Sequence, residues 1–324
     1  MLLLGSSESG KSTLLQDMRI HFGEFYDPEE TMNFTETVQT NVIQGIRVIL
    51  EEMKKLGIPL QHDTNERHAQ DIFMQAAENK GICPAQLTSA VVVSELWADA
   101  GVQESYRCRH QYLLSENVSH FASHIERLAS PEYVPSQEDI LRSYFPTVGI
   151  TETSFLMDDV TVLVHDFSGL RSQRRKWIYA FENVDSIVFT VDASAYCRLL
   201  PDNGSCNQMQ DQITLWESIV GSRWFTKTDF VLVFTKIDCL PETIGLSPIS
   251  DYFPDFPDSD SSVGMNQLID SYLGFLKERF MSLLSHETRQ RTKVVFADLV
   301  HVDEINPASL VLETLKVPDI PVVL

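Results

Sequence analysis

The sequence predicts an α/β protein with a mostly parallel sheet that an all-helical inserted domain interrupts. Three observations support this prediction: a strand, loop and helix pattern at the start of the chain, a long block with only helical periodicity, and an alternation of strands and helices in the second half. With 324 residues, of which 43% are apolar, the chain can supply a sizeable core to each of two domains.

The first pattern begins at the amino terminus. Residues 2–4 form a short apolar run that ends at Gly5, and the apolar residues that follow Lys11 have helical spacing. They are Leu14, Leu15, Met18 and Phe22. This order predicts a strand, a loop and a helix.

The helical block extends from about residue 30 to residue 146, and no good strand pattern interrupts it. Its first apolar residues recur at steps of three and four, as in an amphipathic helix: Val38, Val42, Ile46, Ile49, Met53 and Leu56. We therefore expect this block to be an insertion built from helices.

Strand and helix patterns alternate after residue 149. Short runs rich in β-branched and aromatic residues predict strands at 161–164, 187–191, 230–234 and 293–296. Amphipathic stretches at 208–220 and 265–284 predict helices between successive strands, as in a parallel sheet with right-handed crossovers. Residues 251–262 are rich in Pro, Asp and Ser and predict a surface loop.

Composition excludes several classes of protein. A formal net charge of −21 repels phosphate backbones, so we expect neither nucleic acid nor an anionic membrane as a general partner, although a single nucleotide pocket remains compatible with it. The five cysteines are scattered and form no C-x-x-C pair, which favours reduced cytoplasmic thiols over a zinc site or disulfides. No apolar run approaches the roughly 20 residues that span a bilayer, and the start has no basic flank typical of a secretion signal.

A phosphate-binding motif occupies residues 5–12, which read G-S-S-E-S-G-K-S and fit G-x-x-x-x-G-K-S/T. The glycines allow backbone N–H groups to surround phosphates, and the following helix presents its amino terminus to them. Lys11 would neutralise phosphate charge and Ser12 would ligate Mg²⁺. Because a predicted strand precedes the motif and a helix follows it, we favour this interpretation over an ordinary Gly-rich turn.

A second motif, T-K-I-D at residues 235–238, follows the predicted strand at 230–234. Ligands of open α/β sheets bind at the carboxyl ends of strands. A carboxylate at Asp238 can accept two donors from the guanine edge, and adenine does not present that donor pair. Alone, a K-x-D sequence is more typical of a solvated loop, but beside a phosphate loop it indicates a guanine-nucleotide site.

These two motifs, with D-F-S-G at residues 166–169, resemble the heterotrimeric G protein α-subunit family, and the resemblance extends along nearly all of the chain. Further matches in order are E-S-G-K-S-T at 8–13, L-W-A-D-A-G-V-Q at 96–103, Y-V-P-S-Q-E-D-I-L-R at 133–142, K-W at 176–177, F-E at 181–182, S-P at 247–248 and F-P at 253–254. The resemblance implies a Ras-like P-loop NTPase domain at residues 1–28 and 143–324, with an inserted helical domain at residues 29–142.

The resemblance also implies the residues of a GTP/GDP site. The implied nucleotide-binding residues are Glu8, Ser9, Gly10, Lys11, Ser12, Thr13, Leu141, Arg142, Thr147, Asp166, Gly169, Thr235, Lys236 and Asp238. Ser12 and Thr147 would ligate Mg²⁺, Asp166 would hold a magnesium-bound water, and the Gly169 N–H would meet the γ-phosphate. Two residues have structural alternatives, since Thr147 could be a simple loop hydroxyl and Asp166 a strand-end cap.

Lys236 and Asp238 would bind guanine in this resemblance. Thr235 stands where the family usually has Asn, so we expect weaker anchoring of the base loop rather than loss of binding. The late guanine-contact loop of the family maps only loosely onto residues 300–304, and we assign no contacts there.

Two departures predict slow hydrolysis, because phosphoryl transfer of this type needs an arginine on the developing charge and a glutamine on the attacking water. Aligning residues 142–150 with R-x-R-V-K-T-T-G-I places Tyr144 at the arginine position, with Arg142 at the preceding arginine. Leu170 stands at the glutamine position next to Gly169 and cannot hydrogen-bond water. The alternative is that Arg142 swings in as the arginine finger. Ser168 replaces a switch glycine and narrows the allowed backbone conformations.

Partners follow from the resemblance alone: a βγ dimer and a receptor, with a cytoplasmic location that could be peripheral at the inner face of the plasma membrane. Only four residues precede Gly5, so we expect the family's amino-terminal helix to be missing, and Met1 is not followed by the Gly that myristoylation requires. Pro318 and Pro321 are expected to end the last helix early. Both features weaken the expected coupling to these partners.

Three functions remain open at this point. The first is a GTP/GDP switch in G protein-coupled receptor signalling with slow GTP hydrolysis. The second is a pseudo-GTPase scaffold with weak or no nucleotide binding. The third is an ATP-using P-loop enzyme, which Asp238 argues against.

Overall fold

The computed structural model describes residues 1–22, 26–77, 90–112, 114–147, 149–157, 160–200, 203–257, 264–300 and 311. The chain divides into two compact units, Met1–Glu24 with Pro146–Leu324, and Phe25–Phe145. We call the first the sheet unit and the second the helical unit. The assignment of separate domain roles to residues 1–28, 29–142 and 143–324 stays a prediction.

All strands of the described residues lie in the sheet unit. In chain order they are β1 Leu2–Gly5, β2 Ile150–Met157, β3 Val160–Phe167, β4 Ser186–Asp192, β5 Leu199–Leu200, β6 Asn203–Asn207, β7 Asp229–Thr235 and β8 Thr292–Phe296. Six of them form one sheet in the order β2-β3-β1-β4-β7-β8, in which only the β2–β3 pair is antiparallel. The predicted mostly parallel α/β fold is confirmed, and the four predicted strands lie within β3, β4, β7 and β8.

The α-helices are distributed over both units. They are α1 Lys11–His21, α2 Pro28–Leu56, α3 Asp63–Ala77, α4 Ala90–Ala98, α5 Ala100–Arg107, α6 Asn117–Ser123, α7 Ile125–Leu128, α8 Gln137–Arg142, α9 Gln208–Val220, α10 Leu240–Leu246, α11 Met265–Met281 and α12 His286–Gln290. Short 3-10 helices occupy Arg109–Gln111, Arg174–Ala180, Ala195–Cys197, Arg223–Phe225, Ile237–Cys239 and Ile249–Asp251. The predicted helix at 208–220 is confirmed, whereas the helix predicted at 265–284 ends at Met281.

The core of the sheet unit lies on both faces of the central strands. Side chains of a strand alternate between faces, so Leu2 and Leu4 join one apolar cluster while Leu3 joins the other. Trp216 of α9 is fully buried in the first cluster and its Nε1–H donates to the Phe280 carbonyl oxygen at 3.1 Å. Both faces of the central strands are therefore covered, as is usual for a parallel sheet.

The loop predicted at residues 251–262 is described up to residue 257. The described residues form no α-helix or strand and five of the seven are exposed, as predicted for a surface loop, while Phe253 and Phe256 are buried. Both rings pack against Tyr272 and Phe275 of α11. The two rings therefore fasten an otherwise exposed loop to α11, because burial of each ring removes a large apolar area from water.

The helical unit is organised around α2. This helix starts with a capping box between Asp27 and Glu30 and with Pro28 in its first turn, and it ends at Gly57, whose φ of 70° suits a residue without a side chain. Five residues of its predicted apolar stripe are buried, and Leu56 is the exposed exception. No strand occurs in the described residues of this unit, in agreement with the predicted helical block.

A buried carboxylate stabilises the second half of the helical unit. Asp139 of α8 accepts two hydrogen bonds from the Arg127 guanidinium, at 2.6 and 2.8 Å, and one from the Ser136 backbone N–H at 2.9 Å. Burial alone would raise the pKa of Asp139, but these hydrogen bonds outweigh it and hold the pKa well below its usual range. This ion pair therefore depends on pH.

Candidate nucleotide-binding site

The phosphate loop connects β1 to α1 at the carboxyl edge of the sheet. Glu8 and Gly10 both adopt left-handed backbone conformations, with φ of 60° and 87°. A β-carbon at Gly10 would press on the Thr235 and Leu299 side chains, so this position favours glycine for two reasons. Lys11, Ser12 and Thr13 follow in the first turn of α1. The predicted loop, strand and helix are all present.

The Lys11 amine is enclosed by this loop. Its Nζ donates to the Gly5 carbonyl oxygen at 3.2 Å and to the Ser6 carbonyl oxygen at 2.5 Å, and the side chain is buried. Burial lowers the pKa of Lys11 to about 8, while the charge of Asp166 acts in the opposite direction. A buried ammonium gains strongly from an anionic partner, so the site suits a phosphate group.

Three oxygen-bearing side chains meet beside Lys11. The Ser12 and Thr147 hydroxyl oxygens are 3.0 Å apart, and the Thr147 hydroxyl donates to Asp166 Oδ2 at 3.5 Å. Burial raises the pKa of Asp166 to about 6, with Lys11 opposing the shift. The second carboxylate oxygen, Oδ1, is buried and has no hydrogen-bond partner among the described residues. Hydroxyl and carboxylate oxygens are the ligands that Mg²⁺ prefers, so these residues fit that ion.

Protein side chains alone do not complete a metal site. Among the described residues, no group of three or more His, Cys, Asp or Glu side chains is placed to hold a metal. Mg²⁺ usually keeps several waters and binds through one or two protein ligands together with substrate phosphates. A site of two hydroxyls and one nearby carboxylate is therefore of the kind that requires a nucleotide to be complete.

The segment after β3 lies against the phosphate loop. A β-carbon at Gly169 would collide with the backbone of Ser6 and Ser7, which explains the need for glycine here. The Gly169 carbonyl oxygen accepts from Arg174 Nε at 3.0 Å, and the same guanidinium makes two hydrogen bonds to Asp211 of α9, at 2.9 and 2.6 Å. A buried ion pair thus supports the glycine that the resemblance places at the γ-phosphate.

The two neighbours of Gly169 carry the departures noted in the sequence. Leu170 is partly buried and offers no hydrogen-bonding group at the position of the expected glutamine. Ser168 is buried, its carbonyl oxygen accepts from Trp177 Nε1 at 3.1 Å, and its hydroxyl has no partner among the described residues. Arg174–Ala180, which includes the K-W match at 176–177, forms a 3-10 helix.

The base loop is tied directly to the phosphate loop. Thr235 is fully buried, and its hydroxyl donates to the Ser9 carbonyl oxygen at 3.0 Å and the Val191 carbonyl oxygen at 3.2 Å. Lys236 follows with a left-handed backbone, φ 56°, and Asp238 lies in the first turn of the next 3-10 helix. The structure therefore brings the phosphate-loop residues, Thr147, Asp166, Gly169 and the T-K-I-D sequence to one edge of the sheet.

The remaining predicted residues belong to the helical unit. Leu141 is buried there, and Arg142 donates from Nε to Glu138 at 2.9 Å within α8. The Tyr144 backbone exchanges two hydrogen bonds with the Asn41 side chain, at 2.7 and 3.0 Å. The Arg142 guanidinium therefore has an acidic partner inside its own helix, and position 144 carries no cation.

Sequence reasoning missed two residues that support the phosphate loop. The Thr190 hydroxyl lies 2.7 Å from the Ser9 hydroxyl, and Gln208 Nε2 donates to the Ser7 carbonyl oxygen at 3.1 Å. Neither residue belongs to a local motif. The pairing of Gly5 with Thr190 in the sheet would have been the only signal, and it requires the strand register.

A phosphate loop at the end of a parallel strand, a hydroxyl pair beside a buried carboxylate and a base loop define a P-loop nucleotide-binding protein. A family model described as G-protein alpha subunit matches residues 1–315. The chain is 41% identical over 291 residues to the guanine nucleotide-binding protein subunit alpha of Cryphonectria parasitica, covering 90% of this chain and 80% of that protein. The alpha-1 subunit of Neurospora crassa matches with the same identity and coverage. The chain belongs to the G-protein alpha subunit family, whose members bind guanine nucleotides in signal transduction.

Proposed function

We propose that this chain is a GTP/GDP switch that binds its nucleotide with Mg²⁺ and hydrolyses GTP slowly. The observation that carries the proposal is the buried Lys11 ammonium beside the Ser12, Thr147 and Asp166 oxygens. A cation surrounded by backbone carbonyls gains most from a polyanion, and backbone N–H groups of the same loop would bind its remaining oxygens.

Mg²⁺ would be held by the Ser12 and Thr147 hydroxyls, with Asp166 accepting a hydrogen bond from a water on the ion. When bound, the ion would neutralise phosphate charge. Ionised Asp166 is costly in this buried position, since burial raises its pKa to about 6. A nearby dication would favour the ionised form of Asp166. Because the ion would also contact the nucleotide phosphates, binding of the metal and binding of the nucleotide would be linked.

Slow hydrolysis follows from the side chains at positions 144 and 170. Leu170 cannot orient water, and Tyr144 supplies no positive charge to the transferring phosphoryl group. The rescue by Arg142 is disfavoured by its hydrogen bond to Glu138 at 2.9 Å, which would have to break first. Loss of an arginine finger corresponds to a rate reduction of roughly 10³ to 10⁵.

The proposed partners are a βγ dimer and a receptor, reached from the cytoplasm at the inner face of the plasma membrane. This part of the proposal rests on family membership alone. No helix among the described residues combines the length and hydrophobicity needed to cross a bilayer.

A titration with a fluorescent GTP analogue tests the proposal. We expect binding that depends on Mg²⁺ and is lost in Lys11→Ala, because the phosphate cradle loses its cation. Lys227→Ala removes an exposed lysine of the same unit and should bind like the wild type. Wild-type protein that takes up neither GTP nor GDP at micromolar concentrations would contradict the proposal and leave the scaffold alternative.

A further inference from the structure

A buried aspartate outside the recognised motifs lies next to the base loop. Asp192 is the last residue of β4, pairs in register with Thr235 of β7 and is fully buried. Its Oδ2 lies 2.9 Å from Lys236 Nζ and 3.4 Å from Arg198 Nη1. Its Oδ1 accepts from the Ser194 backbone N–H at 2.9 Å and from the Ser194 hydroxyl at 2.7 Å. Both carboxylate oxygens are therefore engaged.

The backbone of Asp192 is fixed as firmly as its side chain. Its N–H donates to Gln212 Oε1 at 2.7 Å, and its carbonyl oxygen accepts from Gln212 Nε2 at 3.2 Å. Gln212 belongs to α9 and is itself fully buried. The carboxylate thus lies at the carboxyl end of a central strand, on a residue whose backbone a buried glutamine side chain holds by two hydrogen bonds.

The Lys236 side chain needs such a support. Lysine has a flexible four-carbon stem, and holding it in one conformation costs entropy unless a fixed partner is present before the ligand arrives. Its backbone lies in the left-handed region, with φ of 56°, so its side chain leaves the backbone in another direction than that of a residue in the preceding strand. Asp192 is fully buried whereas Lys236 is about one-fifth exposed, so the pair is not an ordinary surface ion pair.

We infer that Asp192 is a positioning residue that sets the affinity for guanine nucleotides by holding Lys236 in place for the base. The inference rests on the proposed nucleotide binding. Without the carboxylate, Lys236 and Arg198 would lose the anion that both contact, and the repulsion between the two cations would displace the lysine. The loss should concern the base and ribose end of the ligand and leave the phosphate loop intact.

Equilibrium titrations of full-length wild type and Asp192→Asn with two probes test this inference: fluorescent GDP and inorganic tripolyphosphate. Asp192→Asn keeps the size of the side chain and an oxygen for Ser194 but removes the charge. We expect GDP affinity to fall roughly tenfold to a hundredfold, as for loss of a charged hydrogen bond, with tripolyphosphate affinity unchanged. Asp229→Asn, an exposed carboxylate on the neighbouring strand, is the matched control.

Lys236→Met tests whether Asp192 affects GDP affinity through the lysine. Met keeps the apolar stem but has no ammonium group to pair with Asp192, so GDP affinity should fall by a similar factor. Adding Asp192→Asn should then lower the affinity no further. An unchanged GDP affinity in Asp192→Asn would overturn the inference, as would an equal loss for both probes or a full additional loss in the double variant. If Asp192→Asn does not fold, an unchanged GDP affinity in Lys236→Met overturns it alone. Wild-type protein that does not bind GDP would overturn the proposed function itself, a result distinct from all of these.

Discussion

The Thr235 hydroxyl offers a sharp test of how the site is assembled. Thr235→Val replaces the hydroxyl with a methyl group, so the contact with Gly10 is kept while the Ser9 and Val191 carbonyl oxygens lose a donor. These oxygens lie next to a fully buried side chain, where an unsatisfied acceptor costs about 1–3 kcal/mol. We expect the free energy of unfolding to fall by that amount. We also expect GDP affinity to fall by about tenfold, because the base loop loses its anchor on the phosphate loop.

Urea unfolding followed by tryptophan fluorescence measures the first effect, and titration with fluorescent GDP measures the second. Thr214→Val is the control, because the Thr214 hydroxyl lies on the exposed face of α9 and donates only to the Gln210 carbonyl oxygen of the same helix. Thr235→Asn keeps a side chain that can donate and introduces the residue usual in the family, so its GDP affinity should equal or exceed that of the wild type. A change in unfolding free energy within the roughly 0.5 kcal/mol typical of surface substitutions, with unchanged GDP affinity, would refute the reasoning.

Three further predictions concern hydrolysis, the switch glycine and acid stability. Tyr144→Arg combined with Leu170→Gln should raise single-turnover GTP hydrolysis by at least about 10³-fold, and wild-type turnover equal to the repaired protein would contradict our account. Gly169→Ala should lower the free energy of unfolding by about 1–3 kcal/mol, because the added β-carbon would collide with the phosphate-loop backbone. An unchanged melting temperature would argue against that packing. Because folding lowers the pKa of Asp139 below 3.8, the stability it contributes is present above about pH 4 and is lost as pH falls. Arg127→Ala should cost about 2 kcal/mol at pH 7 and flatten that acid dependence in denaturant titrations, whereas an unaltered pH profile would rule out the ion pair as its cause.

The fold was accessible from the sequence where periodicity is strong. The apolar stripe of α2 and the buried run of β7 carry their own signals, because one helix face or both faces of a central strand must be apolar. The antiparallel strand β2 escaped prediction, since it is an edge strand with polar and exposed residues. The burial of Phe253 and Phe256 escaped for another reason: it depends on α11, which is distant in sequence.

The candidate site divides in the same way. Lys11 and Asp238 belong to motifs whose spacing is set by one turn of backbone, so they could be named in advance. Asp192 and Gln208 reach the loops only through strand register and helix docking, which no short sequence window encodes. The hydrogen bond from Thr235 to Ser9 could not be predicted either, because the two residues lie 226 positions apart in the chain.

The first turns of α9 have a consequence for how this protein could lose its ligand. Gln208 holds the phosphate loop, Asp211 holds Arg174 behind Gly169, and Gln212 holds Asp192 behind Lys236. One helix thus supports three separate parts of the candidate site: the phosphate loop, Gly169 and the base loop. A displacement of α9 would therefore weaken the three supports together, and release of a bound nucleotide would then be one concerted event.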